Sequence, residues 1–512
     1  MNKPLLPGYN SVKTLLRDLE AKPEKFWLKR GESELFKLFK QAAGRIPAYK
    51  KFLKSHRVNP KKITGLKNIS SVPPVGRDNY LQKYPLEDLC WDGNFKARRW
   101  TVAATSGSTG QPFYFPRTDN QDLQYAALAE LYLVHNFQIN RKSTLYINGF
   151  AMGVWIGGVF TYQAVHDVAQ RGNYSISIIS PGINKQEIIK AVTNLGPKFD
   201  QIIIGGYPPF IKETVDEGLA LGVKWKIYNL GFIFSAEPFG EKFRDHIIST
   251  TGLKNPYTTT LNHYGTADQG TLAYETPLSI LIRRLAVKNP KLFAAIFPET
   301  KRLPTLAQYF PEMFYFEERE GQLLCSARSG LPLLRYELKD KGGVITFGRM
   351  CEIFKSLGLN LEREARKANL QGSLWKLPFV YIYERSDMVV SWSGANIYPE
   401  HIREAHLHKK VSPFLSGKFT LEIVFDKHNN QELLIHSELR KDVQIANKRR
   451  LIEEIKNITM AELLKSNSEY RVLHSSNPGK MVPRVILWTH QSAPHFIGGG
   501  KQRWALKTKQ NK

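Results

Sequence analysis

The sequence predicts an α/β protein in two parts, a large multi-layer N-terminal domain over residues 1–383 and a smaller α+β C-terminal domain over 384–512. Three observations carry this reading. At 512 residues the chain is too long for one ordinary core. Between Arg98 and Val287, short apolar runs alternate with helical stretches across brief loops, the signature of helices layered on a largely parallel sheet. Beyond about residue 383 the pattern changes to short strands, polar turns and a few helices.

Taken in order, residues 1–60 read as amphipathic helices. Leu15, Leu16 and Leu19, then Leu35, Phe36, Leu38 and Phe39, recur at helical spacing among lysines. Pro73, Pro74 and Gly76 end that pattern. Strands are expected at 100–104, 113–116, 144–147, 175–179, 201–204 and 230–234, and helices at 121–135, 159–170, 185–194, 209–221 and 240–250. Residues 271–320, with Arg283, Arg284 and several prolines, read as an insertion or lid support. A strand pair at 321–326 and 333–337 then leads to Lys339-Asp340-Lys341-Gly342-Gly343, which reads as a turn. In the second part, strands are expected at 388–392, 420–425 and 432–437, with helices opening near Pro399 and running from Val443 to about Lys465.

Composition narrows the class. Apolar content of 42%, with 12% aromatic, is that of a globular chain. Cys90, Cys325 and Cys351 are far apart and lack metal-ligand spacing, which points away from a disulfide framework or a zinc site and towards a reducing compartment. The N-terminus has no signal-like stretch, and the longest apolar run, Gly149 to Val165, is broken by glycines and polar residues. A soluble, cytoplasmic protein with no membrane span is expected. The net charge of +27 is spread along the chain rather than gathered in one arm or tail, which favours a generally basic surface that attracts anionic nucleotides over a nucleic-acid interface.

The chemistry gathers around Thr105-Ser106-Gly107-Ser108-Thr109-Gly110. Four hydroxyls and two glycines between two strand-like segments present backbone N–H groups and hydroxyls without bulk, a nest for phosphate oxygens, although an ordinary Ser/Gly turn has the same composition. Ser235-Ala236-Glu237-Pro238 closes a strand and opens a helix, where Glu237 is also placed as an ordinary acidic helix entrance. Tyr264-Gly265-Thr266-Ala267-Asp268 offers a ring to stack a base, a glycine for close approach, a hydroxyl, and a carboxylate for magnesium. Asp340 reads as a turn residue or as a ribose-binding carboxylate. Phe150, Trp155, Tyr207 and Phe234 suit a pocket for an aryl or acyl group and equally a core. The tail ends in Gly498-Gly499-Gly500-Lys501, a glycine run delivering one lysine.

Together these segments resemble the adenylate-forming, AMP-binding superfamily, within it the phenylacetate–coenzyme A ligase-like branch. Thr105–Pro112 is similar to its phosphate loop, with Gln111 where lysine is usual. Ser235–Pro238 is similar to its Gly-Ala-Glu-Pro segment, and Tyr264–Asp268 to its Tyr-Gly-x-Ser/Thr-Glu motif, with Asp268 in place of glutamate and Ala267 in place of a hydroxyl. Arg335–Asp340 resembles the ribose motif and Glu384–Pro399 the hinge motif, and Gly500-Lys501 resembles the pair in the catalytic tail. The order agrees from about Ile46 to Arg503.

The resemblance implies a fold of adenylate-forming type whose small domain is mobile about a hinge at Asp387. It implies ATP, Mg²⁺ and coenzyme A as cofactors or co-substrates and a small-molecule carboxylate as substrate. Thr105 to Gly110 would cradle phosphates, Ala236, Glu237, Pro238, Tyr264, Gly265 and Thr266 would hold the nucleotide, and Asp340 the ribose. Asp268 would bind the metal, Lys501 and Arg385 would act catalytically, and Phe150 and Tyr207 would line the substrate pocket. The expected activity is AMP-forming acid–thiol ligation. Two alternatives stand beside it: an adenylating enzyme with a protein thiol, amine or cofactor as acceptor, and a basic nucleotide- or RNA-binding protein on a ligase scaffold. Nucleic acid is not an expected partner on the leading reading, and a homodimer is left open.

Overall fold

The computed structural model describes residues 8–96, 98–104, 113–153, 156–236, 238–301, 303–385, 390–392, 395–425, 431–467, 470–471, 474–475, 478–479, 481–497 and 504. The first helices, Val12–Ala21, Glu24–Arg45 and Pro47–Ser55, bury Leu15, Leu19, Trp27, Leu35, Phe39 and Phe52, so the stripe read from the sequence is their core-facing side. Strands β1 (Thr101–Ala104) and β2 (Tyr114–Arg117) then form an antiparallel hairpin in which Ala104 faces Tyr114.

Five strands follow in parallel: β3 (Thr144–Asn148), β4 (Ile176–Ile179), β5 (Gln201–Gly206), β6 (Leu230–Ser235) and β7 (Thr260–Thr266). Their inner members are apolar on both faces because both faces are covered. Tyr146, Ile203, Ile233 and Leu261 enter one core, while Ile147, Ile202, Ile204, Phe232 and Phe234 enter another on the opposite side. The helices Asp119–His135 and Ile156–Gly172 carry residues of the first layer, and Lys185–Leu195, Pro208–Ala220 and Glu241–Thr251 carry residues of the second.

The sheet is parallel over only half its width. Strands β8 (Gly270–Tyr274), β9 (Thr305–Gln308), β10 (Phe314–Arg319), β11 (Gln322–Ala327), β12 (Leu333–Ile345) and β13 (Phe379–Arg385) pair antiparallel. Among the described residues these make one eleven-stranded sheet in the order β10-β11-β12-β13-β9-β8-β7-β6-β5-β3-β4.

Two expectations are corrected here. Residues 271–320 are not an insertion, since they supply most of β8, all of β9 and β10, and the helices Pro277–Lys288 and Pro290–Ile296. Asp340 is not in a turn, because β12 continues through Lys339–Gly343, with a bulge between Lys341 and Gly342. The two glycines there serve close strand approach: a Cβ on Gly342 would lie 1.9 Å from the Tyr381 carbonyl oxygen, and one on Gly343 would lie 2.5 Å from the Tyr381 hydroxyl.

The second part has its own core. Strands β14 (Val390–Trp392) and β15 (Ala395–Ile397) form a hairpin, and β16 (Leu415–Phe425), β17 (Gln431–Leu439) and β18 (Arg484–Trp488) form a three-stranded sheet. With the helices Pro399–His406 and Lys448–Ser466 they enclose Trp392, Ile402, Phe419, Leu421, Ile435, Ile455 and Tyr470. The last helix begins at Lys448 rather than Val443, because the Asn447 side chain accepts the Arg450 N–H and caps it there. Among the described residues, no helix is long and apolar enough to cross a membrane.

Arg244 and Arg283 hold the helices after β6 and β8 together. Arg244 donates to both oxygens of Glu275 at 2.9 and 2.8 Å and to Glu241 at 2.9 Å, while Arg283 bonds Glu275 and donates to the Phe239 carbonyl at 2.6 Å. Arg244, Glu275 and Arg283 are wholly buried. Removing one partner from such a cluster strands a buried charge, so Glu275→Gln is expected to lower unfolding free energy by about 3–5 kcal/mol, read from urea denaturation.

Candidate active site

Ligands of open α/β sheets bind beyond the carboxyl ends of the parallel strands. Here those ends are Asn148 of β3, Gly205-Gly206 of β5, Ser235 of β6 and Thr266 of β7. Asn148 is fully buried and donates to the Gly158 carbonyl at 2.9 Å, fixing the start of the next helix. Ser235 lies opposite His263 in the β6–β7 register, which brings the Ala236 segment beside Tyr264. Ala236 itself has φ of 74°, a left-handed conformation unusual for a residue with a Cβ.

Tyr264 is the centre of the arrangement. Its ring stacks against Phe316 at 6.1 Å, and its hydroxyl donates to Asp340 Oδ2 at 2.6 Å. Asp340 is 2% exposed, and in the β12–β13 register it stands opposite Arg385. Tyr264 and Asp340, both singled out in the sequence, therefore meet although 76 positions separate them. A bulge between Tyr264 and Gly265 turns the chain: a Cβ on Gly265 would lie 2.6 Å from the Gly270 carbonyl oxygen. Thr266 Oγ1 accepts the Gln269 N–H at 3.2 Å, closing the short turn that holds half-buried Asp268.

Phe150 and Tyr207 are also brought together, edge to face at 5.4 Å. Gly205 makes room beside Phe150, since a Cβ there would lie 2.6 Å from the Tyr146 hydroxyl and 3.0 Å from the Phe150 ring. Phe234 is not in this group. It is fully buried against Phe239 and Phe243, inside the core on which Tyr207 packs from outside. The loop Thr105, Ser106, Gly107, Ser108, Thr109 and Gly110, with Trp155, Glu237, Asp387 and Lys501, lies outside the described residues. The hairpin β1–β2 frames that loop, and Trp504, three positions beyond Lys501, is 2% exposed and accepts the Leu421 N–H at 2.8 Å through its carbonyl.

Sequence reasoning missed two arginines. Arg403 donates to the Pro238 carbonyl and lies over the Trp504 ring at 4.5 Å, joining the nucleotide-binding segment expected from the sequence to the small domain. Arg335, within the ribose-like motif, is a structural pin: it donates to the Ser70 carbonyl at 2.6 Å, to the Val72 carbonyl and to Glu317 at 3.1 Å. No spacing rule marks either contact, because both reach backbone carbonyls distant in sequence.

For a metal, Asp268 with the neighbouring Thr266 hydroxyl is a hard-oxygen set suited to Mg²⁺, which takes one or two carboxylates and completes its shell with water and substrate phosphates. Two His/carboxylate groups elsewhere among the described residues are less suited. In Glu422–His436–His495, the Trp488 indole donates to His436 Nδ1 at 3.0 Å, leaving the proton on Nε2, which faces Glu422 at 3.0 Å. In Glu213–Glu438–His490, the Lys418 ammonium already fills the cation's place, 3.1 Å from Glu213 and 3.6 Å from Glu438.

The chain has the fold of AMP-forming acid ligases. It superposes on 2-hydroxyisobutyryl-CoA ligase, in the postadenylation state with R3-HIB-AMP, at a TM-score of 0.64 and 14% identity, covering 96% of this chain and 91% of that one. It superposes on the acyl acid amido synthetase AtGH3.15, in complex with 2,4-DB, at 0.58 and 12% identity, covering 99% and 96%. In sequence it is similar to phenylacetate-coenzyme A ligase of Thermus thermophilus, 24% identical over 242 residues, which are 46% of this chain and 51% of that protein. The match thus spans about half the length of that curated relative. No family model matches the chain.

If Tyr264 and Asp340 hold a nucleotide together, Tyr264→Phe is expected to weaken ATP binding about tenfold, because the Asp340 carboxylate loses the bond that orients it towards the ligand. Titration calorimetry reads this, and a change below about twofold would remove the pair from the site.

Proposed function

We propose that the protein is an ATP-dependent ligase that activates a small aryl or acyl carboxylate as its acyl-adenylate and transfers it to coenzyme A. The observation that carries this reading is the Tyr264–Asp340 hydrogen bond, with Arg385 opposite Asp340 in the strand register, between residues of successive adenylate-forming motifs. The shared fold and the match to a phenylacetate-coenzyme A ligase support it.

In the first half-reaction a carboxylate oxygen attacks the α-phosphorus of ATP. The new O–P bond forms as the bond to the β-phosphate oxygen breaks, and pyrophosphate leaves. Two anions must meet, so the site has to supply positive charge and fixed donors where charge develops. Thr105 to Gly110 would cradle the phosphates, Tyr264 and the Ala236–Pro238 segment the adenine, and Asp340 the ribose hydroxyls. Asp268 would hold Mg²⁺, which when bound supplies charge neutralisation on the phosphate oxygens. Arg385 would supply a second cation, and Lys501 would act as a point charge between carboxylate and phosphate oxygens. In the second half-reaction the small domain, over 384–512, turns about a hinge at Asp387. The thiolate of coenzyme A then attacks the acyl carbon, and AMP leaves with one oxygen of the original carboxylate.

The likeness to an acyl acid amido synthetase over 99% of this chain favours one alternative, an amine acceptor in place of the thiol. The first half-reaction is common to both.

Carboxylate-dependent pyrophosphate–ATP exchange with a mixed pool of aryl and fatty acids, without thiol, tests that half. Exchange is expected in the native chain and a fall of at least about 100-fold in Lys501→Ala, with thioester formation from preformed adenylate retained. ATP binding without exchange across the pool would contradict the ligase reading. Equal loss of both half-reactions in Lys501→Ala would contradict the domain alternation.

A further inference from the structure

The helix Pro208–Ala220 carries Glu213 and Asp216 on adjacent turns, and both are buried against the small domain. Glu213 lies 3.1 Å from Lys418 of β16, and Asp216 lies 2.7 Å from Arg440, the residue after β17. Each carboxylate also has a cation on its own side: Lys185 at 3.2 Å from Glu213, and Lys212 at 2.8 Å from Asp216. His490 at 3.3 Å completes the first group and His246 at 3.1 Å the second. On the small domain, Lys418 is shared with the fully buried Glu438 at 3.6 Å.

The backbone is shaped for this contact. A register shift between Leu415 and Phe419 bulges β16 towards the helix, and Gly417 there has φ of 95°. A Cβ on Gly417 would lie 3.6 Å from Lys212 Cδ. Arg440 also donates to the Leu415 carbonyl at 3.3 Å, so the bulge and the cation are one unit.

Burial pushes both carboxyls up, but the surrounding cations outweigh it. Lys418, Lys185 and His490 hold Glu213 below its ordinary value, and His246, Lys212 and Arg440 hold Asp216 down to about 2. Both stay ionised and paired. A buried ion pair adds little net stability over the same charges in water, yet a misplaced one leaves a charge desolvated and unpaired. A surface built from such pairs accepts one register and releases cleanly into solvent.

We propose that Glu213 and Asp216 form a docking latch: positioning residues that hold the small domain in one orientation and, by letting go of Lys418 and Arg440, set how readily it turns between half-reactions. The second clause rests on the ligase reading above. The first does not.

The test uses the full chain without substrates and follows amide hydrogen exchange in residues 208–220 and 415–425. Glu213→Gln and Lys418→Met are each expected to raise exchange in both segments about fivefold or more. The double variant is expected to raise it no further than either single one, the sign that the two act through each other. Asp216→Asn and Arg440→Met form a second, independent cycle should one variant of the first fail to fold. Where exchange with pyrophosphate is present, the single variants are expected to slow adenylation while sparing or speeding thioester formation. Unchanged amide exchange, or strictly additive effects in both cycles, would overturn the latch. Absence of pyrophosphate exchange in the native chain would count against the ligase reading alone, since amide exchange still decides the latch.

Discussion

Strand β7 pairs parallel with β6 on one side and antiparallel with β8 on the other, and the candidate site depends on that seam. A parallel strand ends where its neighbours end, so β3, β5, β6 and β7 present their carboxyl ends together. Antiparallel pairing then returns the chain at once through a short turn, which places Asp268 next to Tyr264 rather than a helix away. The same antiparallel half carries β12 and β13 back, so that Asp340 reaches the Tyr264 hydroxyl and Arg385 stands opposite Asp340 in the strand register. Loss of the seam would leave the residues of the site on separate edges.

Much of the first half was legible because its strands are buried on both faces. Runs such as Gln201–Gly206 and Leu230–Ser235 have little other reading. The antiparallel half was legible only at the strand pair 321–326 and 333–337. Its other strands are interrupted by proline-started helices, and β12 continues through Lys339-Asp340-Lys341-Gly342-Gly343, a polar glycine-bearing stretch that local chemistry assigns to a turn. Only the approach of Tyr381 from the neighbouring strand explains those glycines, and that is tertiary information. Of the site, the motif residues were legible one by one, whereas the Tyr264–Asp340 bond, the Arg403 link to Pro238 and the paired carboxylates of residues 208–220 exist only after folding.

Charge is sorted by the fold in a way composition does not reveal. Of the acidic residues, Glu213, Asp216, Glu241, Glu275, Asp340 and Glu438 are drawn inside, held by arginines and lysines or by the Tyr264 hydroxyl. Arg244, Arg283 and Lys212 are buried with them, so these charges leave the surface largely as pairs and the net charge of +27 stays outside. A basic surface attracts polyanions in general, while the buried pairs fix which elements meet and in what register.

The most direct measurement of the central claim is the fate of a carboxylate oxygen. With an ¹⁸O-labelled acid that supports turnover, ATP and coenzyme A, formation of an acyl-adenylate predicts that the released AMP carries one labelled oxygen, read by mass spectrometry. Label appearing in inorganic phosphate instead, with ADP as the nucleotide product, would show activation through an acyl phosphate and contradict the account.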